Sequence, residues 1–268
     1  MSSASIILRS LAIGYPSRHS RTHAVGQPLN ASAPAGTLTC IIGRNGTGKS
    51  TLLRTIARLQ PRLSGSVCIG GRDIGTMPRQ DFARLASIVL TTRPDAANIT
   101  VGELAALGRA PYTGFWGQLG ETDRHAAGRA LSLVGMENMA RRRVCSLSDG
   151  ECQKAMIAKS LAQDTPVILL DEPTAFLDFP GKVELMSLLA RLTREEGKTV
   201  LLSTHDLETA LQTADRLWIL GSDGIREGTP LELVRNGSVE SYIGRSDVAI
   251  DRDDMSLRII SSTRHTNA

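Results

Sequence analysis

Gly43-Arg44-Asn45-Gly46-Thr47-Gly48-Lys49-Ser50 is the stretch on which the fold turns. It fits the P-loop spacing, follows the apolar run 39–42 and leads into a helix-like segment at 50–58. Glycines at these places let backbone N–H groups turn inward around phosphate oxygens, and the following helix adds the positive end of its dipole. The loop 43–51, from Gly43 through Thr51, is the expected phosphate cradle. Lys49 can set its charge between a β- and a γ-phosphate, and the Ser50 hydroxyl can ligand Mg²⁺. The competing reading is a chance glycine-rich turn, against which the strand before it and the helix after it both weigh.

Outward from this loop, apolar runs bounded by Gly and Pro predict strands at 5–13, 38–42, 66–69, 88–90, 167–170, 199–203 and 216–220. Helix-like stretches at 50–58, 181–194 and 206–213 alternate with them. Such alternation implies an α/β fold with a largely parallel, helix-covered sheet, and the N-terminal strands add an antiparallel β portion. The middle is mostly helical from Thr100 to about Ala162, beginning with Thr100-Val-Gly-Glu103, which has capping-box spacing. Residues of about 93–143 are expected to form a helical subdomain inserted into the core. One domain over 1–244 and a loosely held polar tail over 245–268 complete the predicted organisation.

Bulk properties exclude several classes. The 268 residues carry a net charge of +4, 3% aromatics and one short basic run, Arg141-Arg142-Arg143. That run reads as a solvated surface, and few aromatics leave little for stacking single-stranded nucleic acid, so no nucleic-acid partner is expected. Cys40, Cys68, Cys145 and Cys152 lack paired metal spacing and read as incidental thiols. No apolar run is long enough to cross a bilayer, so the chain is expected to be soluble and to rely on other chains for any membrane span.

Two further places carry chemistry. The run 167–170 ends in Asp171 and Glu172, carboxylates whose burial needs a cation or a catalytic task. Asp171 at the strand end suits Mg²⁺, and Glu172 suits the general base that polarises an attacking water. Taken alone, two acids at a strand end are equally a loop start. His205 follows the run 199–203 at the edge of the same expected sheet, placed to touch the γ-phosphate or that water.

Leu147-Ser148-Asp149-Gly150-Glu151 separates this chain from other P-loop enzymes. It resembles the signature motif of ATP-binding-cassette (ABC) ATPases, a P-loop NTPase fold with a RecA-like core. The resemblance implies that Ser148 and Gly150 bind the γ-phosphate of ATP held by a second ATPase subunit, two chains closing around two nucleotides. It also implies that Tyr15 stacks on adenine, where the alternative is a core strand tyrosine. Thr174-Ala-Phe-Leu177-Asp178 resembles the loop coupling the two sites, and His205 matches the family's switch histidine. Two departures stand out. Asp149 and Glu151 replace Gly and Gln, and their charge is expected to weaken ATP-driven closure unless a cation or a raised pKa compensates. Thr91 or Thr92 takes the place of a glutamine that senses Mg²⁺ and relays motion to membrane subunits, and the shorter side chain is expected to act through water.

The segment 100–114 is similar to the corresponding region of importers for iron-siderophores, haem and cobalamin. The resemblance implies an ATPase at the cytoplasmic face of the cell membrane. It would be held there by transmembrane permease subunits and, through them, work with a substrate-binding protein. The alternatives are an importer ATPase for another nutrient, such as a metal ion or phosphonate, a soluble non-transport ABC ATPase, and a small-molecule kinase on the same loop.

Overall fold

A computed structural model describes residues 4–15, 23–92, 98–114, 117–244, 248–251 and 255–259. The chain opens with β1 (Ile6–Ala12), β2 (Gly14–Tyr15), β3 (His23–Ala24), β4 (Leu29–Ala33) and β5 (Leu38–Ile42). After the Gly43–Ser50 turn come α1 (Lys49–Ile56), β6 (Ser64–Ile69), β7 (Arg72–Asp73), α2 (Arg79–Leu85) and β8 (Ala86–Val89). The helical middle holds α3 (Val101–Leu107), α4 (Glu121–Leu133) and α5 (Asp149–Ala162). Then follow β9 (Val167–Asp171), α6 (Phe179–Glu196), β10 (Thr199–Ser203), α7 (Leu207–Thr213), β11 (Arg216–Gly221) and β12 (Gly224–Gly228). The last elements are α8 (Pro230–Arg235), α9 (Ser238–Ile243), β13 (Val248–Ile250) and β14 (Leu257–Ile259).

The main sheet runs β12-β11-β5-β10-β9-β8, with every pairing parallel except β11 to β12. Its central strands β5, β9 and β10 are buried at each residue, which is why they read as continuous apolar runs rather than alternating ones. Alternate residues still part company. Leu38, Cys40 and Ile42 of β5 join a core under the helices, whereas Ile41 joins a second core under the antiparallel sheet β4-β1-β6-β7. Helix α1 lies in the second core through Leu52, Leu53 and Ile56, so the phosphate loop is wedged between the two sheets.

Helices α3 and α4 pack on α5, which also touches β8, so the helical layer extends past residue 143 to the end of α5. The Thr100 capping box is formed: Glu103 N–H donates to Thr100 Oγ1 at 3.2 Å and Thr100 N–H to Glu103 Oε2 at 2.7 Å. Arg93, the expected start of the insert, lies outside the described residues. Helix α6 begins two residues before the expected Gly181, because Asp178 caps it through Gly181 N–H and Pro180 is tolerated in a first turn. The tail after Gly244, expected to be loosely held, carries the antiparallel pair β13–β14 in its described part. Ile250, Met255 and Leu257 pack against the helix-side core.

Candidate active site

The phosphate loop folds as its residues dictate. Gly46 and Gly48 adopt φ of 82° and 99°, a region that L side chains avoid. A Cβ on Gly48 would also lie 2.7 Å from Val25 Cγ1. Lys49 is buried at the start of α1 and donates from Nζ to the carbonyls of Gly43 at 2.8 Å and Arg44 at 3.4 Å. Tyr15, Asn45, Gly46, Gly48, Lys49, Ser50, Thr51 and Glu172 line one cleft of about 500 Å³, together with His23 and Val25. Tyr15 is exposed at its mouth and pairs through Oη with Thr51 Oγ1 at 3.3 Å, so it is not a core tyrosine. Arg44 and Thr47 instead line a separate cavity beside Tyr242, and Thr47 Oγ1 donates to the Arg44 carbonyl at 2.9 Å.

Strands β9 and β10, paired in register from Thr199–Val167 to Ser203–Asp171, end side by side at this cleft. The Asp171 carboxylate is 1% exposed, and its Oδ1 accepts the Ser50 hydroxyl at 2.9 Å and the Ser203 hydroxyl at 2.8 Å. Among the described residues no basic side chain pairs with Asp171, so a buried charge stands with hydroxyl partners alone. An all-oxygen set of this kind fits Mg²⁺, which favours few protein ligands and keeps its remaining positions for phosphate and water.

Glu172 turns away from Asp171 because its backbone is left-handed, with φ of 48°. For a non-glycine residue that costs about 1–3 kcal/mol and persists only where the surroundings fix it. Here Glu172 N–H donates to Ser203 Oγ at 3.0 Å, and Ala175 N–H donates to the Glu172 carbonyl at 3.1 Å. The turned carboxylate meets His205, whose Nδ1–H donates to Glu172 Oε2 at 3.2 Å. His205 lies just before α7, whose first turn Asp206 caps by accepting Thr209 N–H at Oδ1. Thr91 donates to the Asp171 backbone carbonyl at 2.9 Å, a contact with the strand end rather than with the Ser50–Asp171 oxygens. Thr92 lines a small cavity beside α5 with Thr91.

Ser148 caps the N-terminus of α5, and among the described residues neither it nor Gly150 lines the phosphate cleft. A Cβ on Gly150 would press on the Phe176 carbonyl at 3.2 Å, so this glycine seats α5 against the 174–178 loop. Glu151 meets the condition set for its charge, a neighbouring cation. Its Oε2 accepts Ser148 N–H at 2.8 Å, and its Oε1 meets Arg142 Nη1 at 3.1 Å. The compensating cation is therefore in place, and the Ser148 backbone bond, helped by Arg142, holds the Glu151 carboxyl below its ordinary value.

A carboxyl lowered on folding stabilises above its unfolded value, about 4.5, and that stabilisation is lost as pH falls through the lower folded value. Acidification through that window is expected to lower amide protection in the first turn of α5 relative to the intrinsic exchange rate at each pH, and Glu151→Gln is expected to remove that loss of protection. An identical acid response in both proteins would rule the cap out as its source.

Sequence reasoning missed Ser203, His23 and Arg142. Ser203 closes an apolar strand and belongs to no motif, and Arg142 lies nine residues from its partner in an otherwise solvated basic run.

The family described as ABC transporter matches residues 27–175, a span that holds the phosphate loop, the 147–151 segment and the Asp171–Glu172 pair. The chain belongs to the ABC transporter family. This ABC protein is 38% identical over 231 residues to the iron(3+)-hydroxamate import ATP-binding protein FhuC of Bacillus subtilis (strain 168), covering 86% of this chain and 84% of that protein. It is 36% identical over 230 residues to the ferric enterobactin transport ATP-binding protein FepC of Escherichia coli (strain K12), covering 85% of each. In structure it is similar to the dimeric ATP-binding cassette MJ0796 in a post-hydrolysis state bound to ADP and Pi. That match has a TM-score of 0.75 at 27% identity, over 84% of this chain and 98% of that one. As an ABC ATP-binding subunit the chain is an ATPase. Among its described residues no helix is long and apolar enough to cross a membrane.

Proposed function

We propose that two copies of this chain close around two molecules of ATP and that hydrolysis drives uptake of a ferric siderophore. Permease subunits would hold the chain at the cytoplasmic face of the membrane and receive cargo from a substrate-binding protein. The observation that carries the ATPase part is the convergence of Ser50, Asp171, Ser203, Glu172 and His205 at the ends of β9 and β10, beside the loop that holds Lys49. The signature helix of the same chain points its capped N-terminus elsewhere, which supports a partner's nucleotide as its ligand. The ferric-siderophore cargo is supported by relatives named for ferric hydroxamate and ferric enterobactin, which favours it over haem, cobalamin or another nutrient.

In this reading Tyr15 stacks on adenine, the 43–51 backbone cradles the phosphates, and Lys49 neutralises the β- and γ-oxygens. Ser50 and Asp171 would hold Mg²⁺, which supplies charge neutralisation on the phosphates. Glu172 accepts a proton from the attacking water, and His205 fixes the carboxylate through Nδ1 while its other nitrogen faces outward. Ser148 and Gly150 of the second copy complete the γ-phosphate site, and the 1–244 domain transmits closure to the permease through its helical layer.

The test is uptake of radiolabelled ferric hydroxamate by cells deleted for this chain. Wild type is expected to restore uptake and Lys49→Met to leave it absent. Undiminished uptake in the deleted cells would remove the siderophore assignment.

A further inference from the structure

The signature helix carries a buried amide nitrogen without an acceptor among the described residues. Gln153, one turn into α5, is 5% exposed, and its Nε2 has no acceptor among the described residues. Leaving such a donor unsatisfied costs on the order of 1–3 kcal/mol, so its retention in a packed helix calls for a partner. Gln153 lines a partly open cavity of about 50 Å³ together with Thr91, Thr92, Asp149, Cys152, Met156 and Phe176, so its polar walls are the two hydroxyls and the Asp149 carboxyl. One water occupies about 30 Å³ of liquid and needs two to four polar partners, which this space provides.

The bonds on the far side of the cavity give that water a direction. Thr91 Oγ1 already donates to the Asp171 carbonyl at 2.9 Å, so its lone pairs are what it presents to a further donor. A water accepting from Gln153 Nε2 and donating to Thr91 Oγ1 extends the series to that carbonyl with every group used in its proper sense. The carbonyl and Glu172 N–H belong to one peptide unit, and Ser203 Oγ accepts from the other side of it at 3.0 Å. Thr91 and Ser203 therefore clamp the peptide plane that aims Glu172, in the left-handed conformation that this residue would not hold unaided.

We infer that Gln153 is a positioning residue: through a water in this cavity it holds Thr91 on the Asp171–Glu172 peptide, tying the first turns of the signature helix to the aim of the base. The inference rests on the reading of Glu172 as the base. It gives α5 two ends of one task, Ser148 facing a partner's nucleotide and Gln153 reporting to the chain's own.

Steady-state ATPase kinetics and thermal melting of Gln153→Met, Thr91→Val, their double variant and Thr91→Ser test it, with Glu172→Gln as control. Methionine keeps the volume and removes the unpaired donor, so melting is expected to be unchanged or raised. The expected result is an about tenfold fall in kcat for Gln153→Met and for Thr91→Val, about 1.4 kcal/mol of barrier, with KM for ATP unchanged. The double variant should be no slower than the slower single one, and Thr91→Ser should retain the wild-type rate. Wild-type kcat in Gln153→Met, or multiplicative losses in the double variant, overturns the relay. So does a lowered melting point with kcat intact, which assigns Gln153 to packing. If Glu172→Gln itself keeps the wild-type rate, the base assignment falls; if it is inactive while Gln153→Met is normal, the relay alone falls.

Discussion

A Glu172→Gln chain binds ATP·Mg²⁺ as tightly as wild type and hydrolyses it about 10²–10⁴-fold more slowly, the usual contribution of a positioned general base. Glutamine keeps the shape of glutamate and can still accept from His205 Nδ1, so the pair at 3.2 Å survives the exchange. The left-handed backbone at φ of 48° and the bond from residue 172 N–H to Ser203 Oγ involve main-chain atoms and are untouched. What disappears is the proton acceptor. Closure no longer leads to products, and closed pairs accumulate. Sizing in ATP·Mg²⁺ should show a dimer, with monomer in its absence. Hydrolysis at the wild-type rate would show that another group takes the proton, and the arrangement at the ends of β9 and β10 would need a different reading.

Trp218→Ala is expected to destabilise the fold by about 3–5 kcal/mol, the range for deleting a large aromatic from a packed core. Against a total stability of roughly 5–15 kcal/mol, that is enough to leave the variant partly unfolded at growth temperature. Trp218 is fully buried on β11, in the core between the main sheet and the antiparallel sheet. Its indole Nε1–H donates to the Ser32 carbonyl of β4 at 3.3 Å, and Glu227 Oε2 accepts Ser32 N–H at 2.6 Å, so the two sheets are joined at this point. Trp218→Phe keeps a ring in the core but loses the bond and part of the indole volume, and is expected to cost about 1–3 kcal/mol, less than the alanine form. Denaturant unfolding separates the two variants, and a loss under 1 kcal/mol for the alanine form would mean that the sheets are held together elsewhere.

What could be read from the sequence followed the strength of local constraint. Gly43 through Ser50 has one conformation open to it, and β5, β9 and β10 announce themselves as apolar runs because both faces are covered. The strand β4, Leu-Asn-Ala-Ser-Ala, was illegible because small and polar residues alternate on a sheet whose partner supplies the bulk. β12 was hidden by glycines at both ends and by an exposed Arg226-Glu227 centre. In the site, Lys49, Ser50, Asp171, Glu172 and His205 were visible because each belongs to a recognisable spacing. The bond from Ser148 N–H to Glu151 follows from capping-box spacing, but the meeting of Glu151 with Arg142, and the seat of Thr91 on a backbone carbonyl, depend on which loops meet in space. No spacing along the chain encodes that meeting.

Ser203 sets a condition on anyone who would transplant this site. A single hydroxyl there gives a hydrogen to the Asp171 carboxylate and takes one from Glu172 N–H, on a strand that supplies none of the named motifs. Alanine would fit the space and leave both partners short, and cysteine would fit it with a feebler donor and acceptor. A scaffold engineered with the phosphate loop and the acid pair but a foreign neighbouring strand would carry the lettering of the site without the hinge pin that holds its two acids apart.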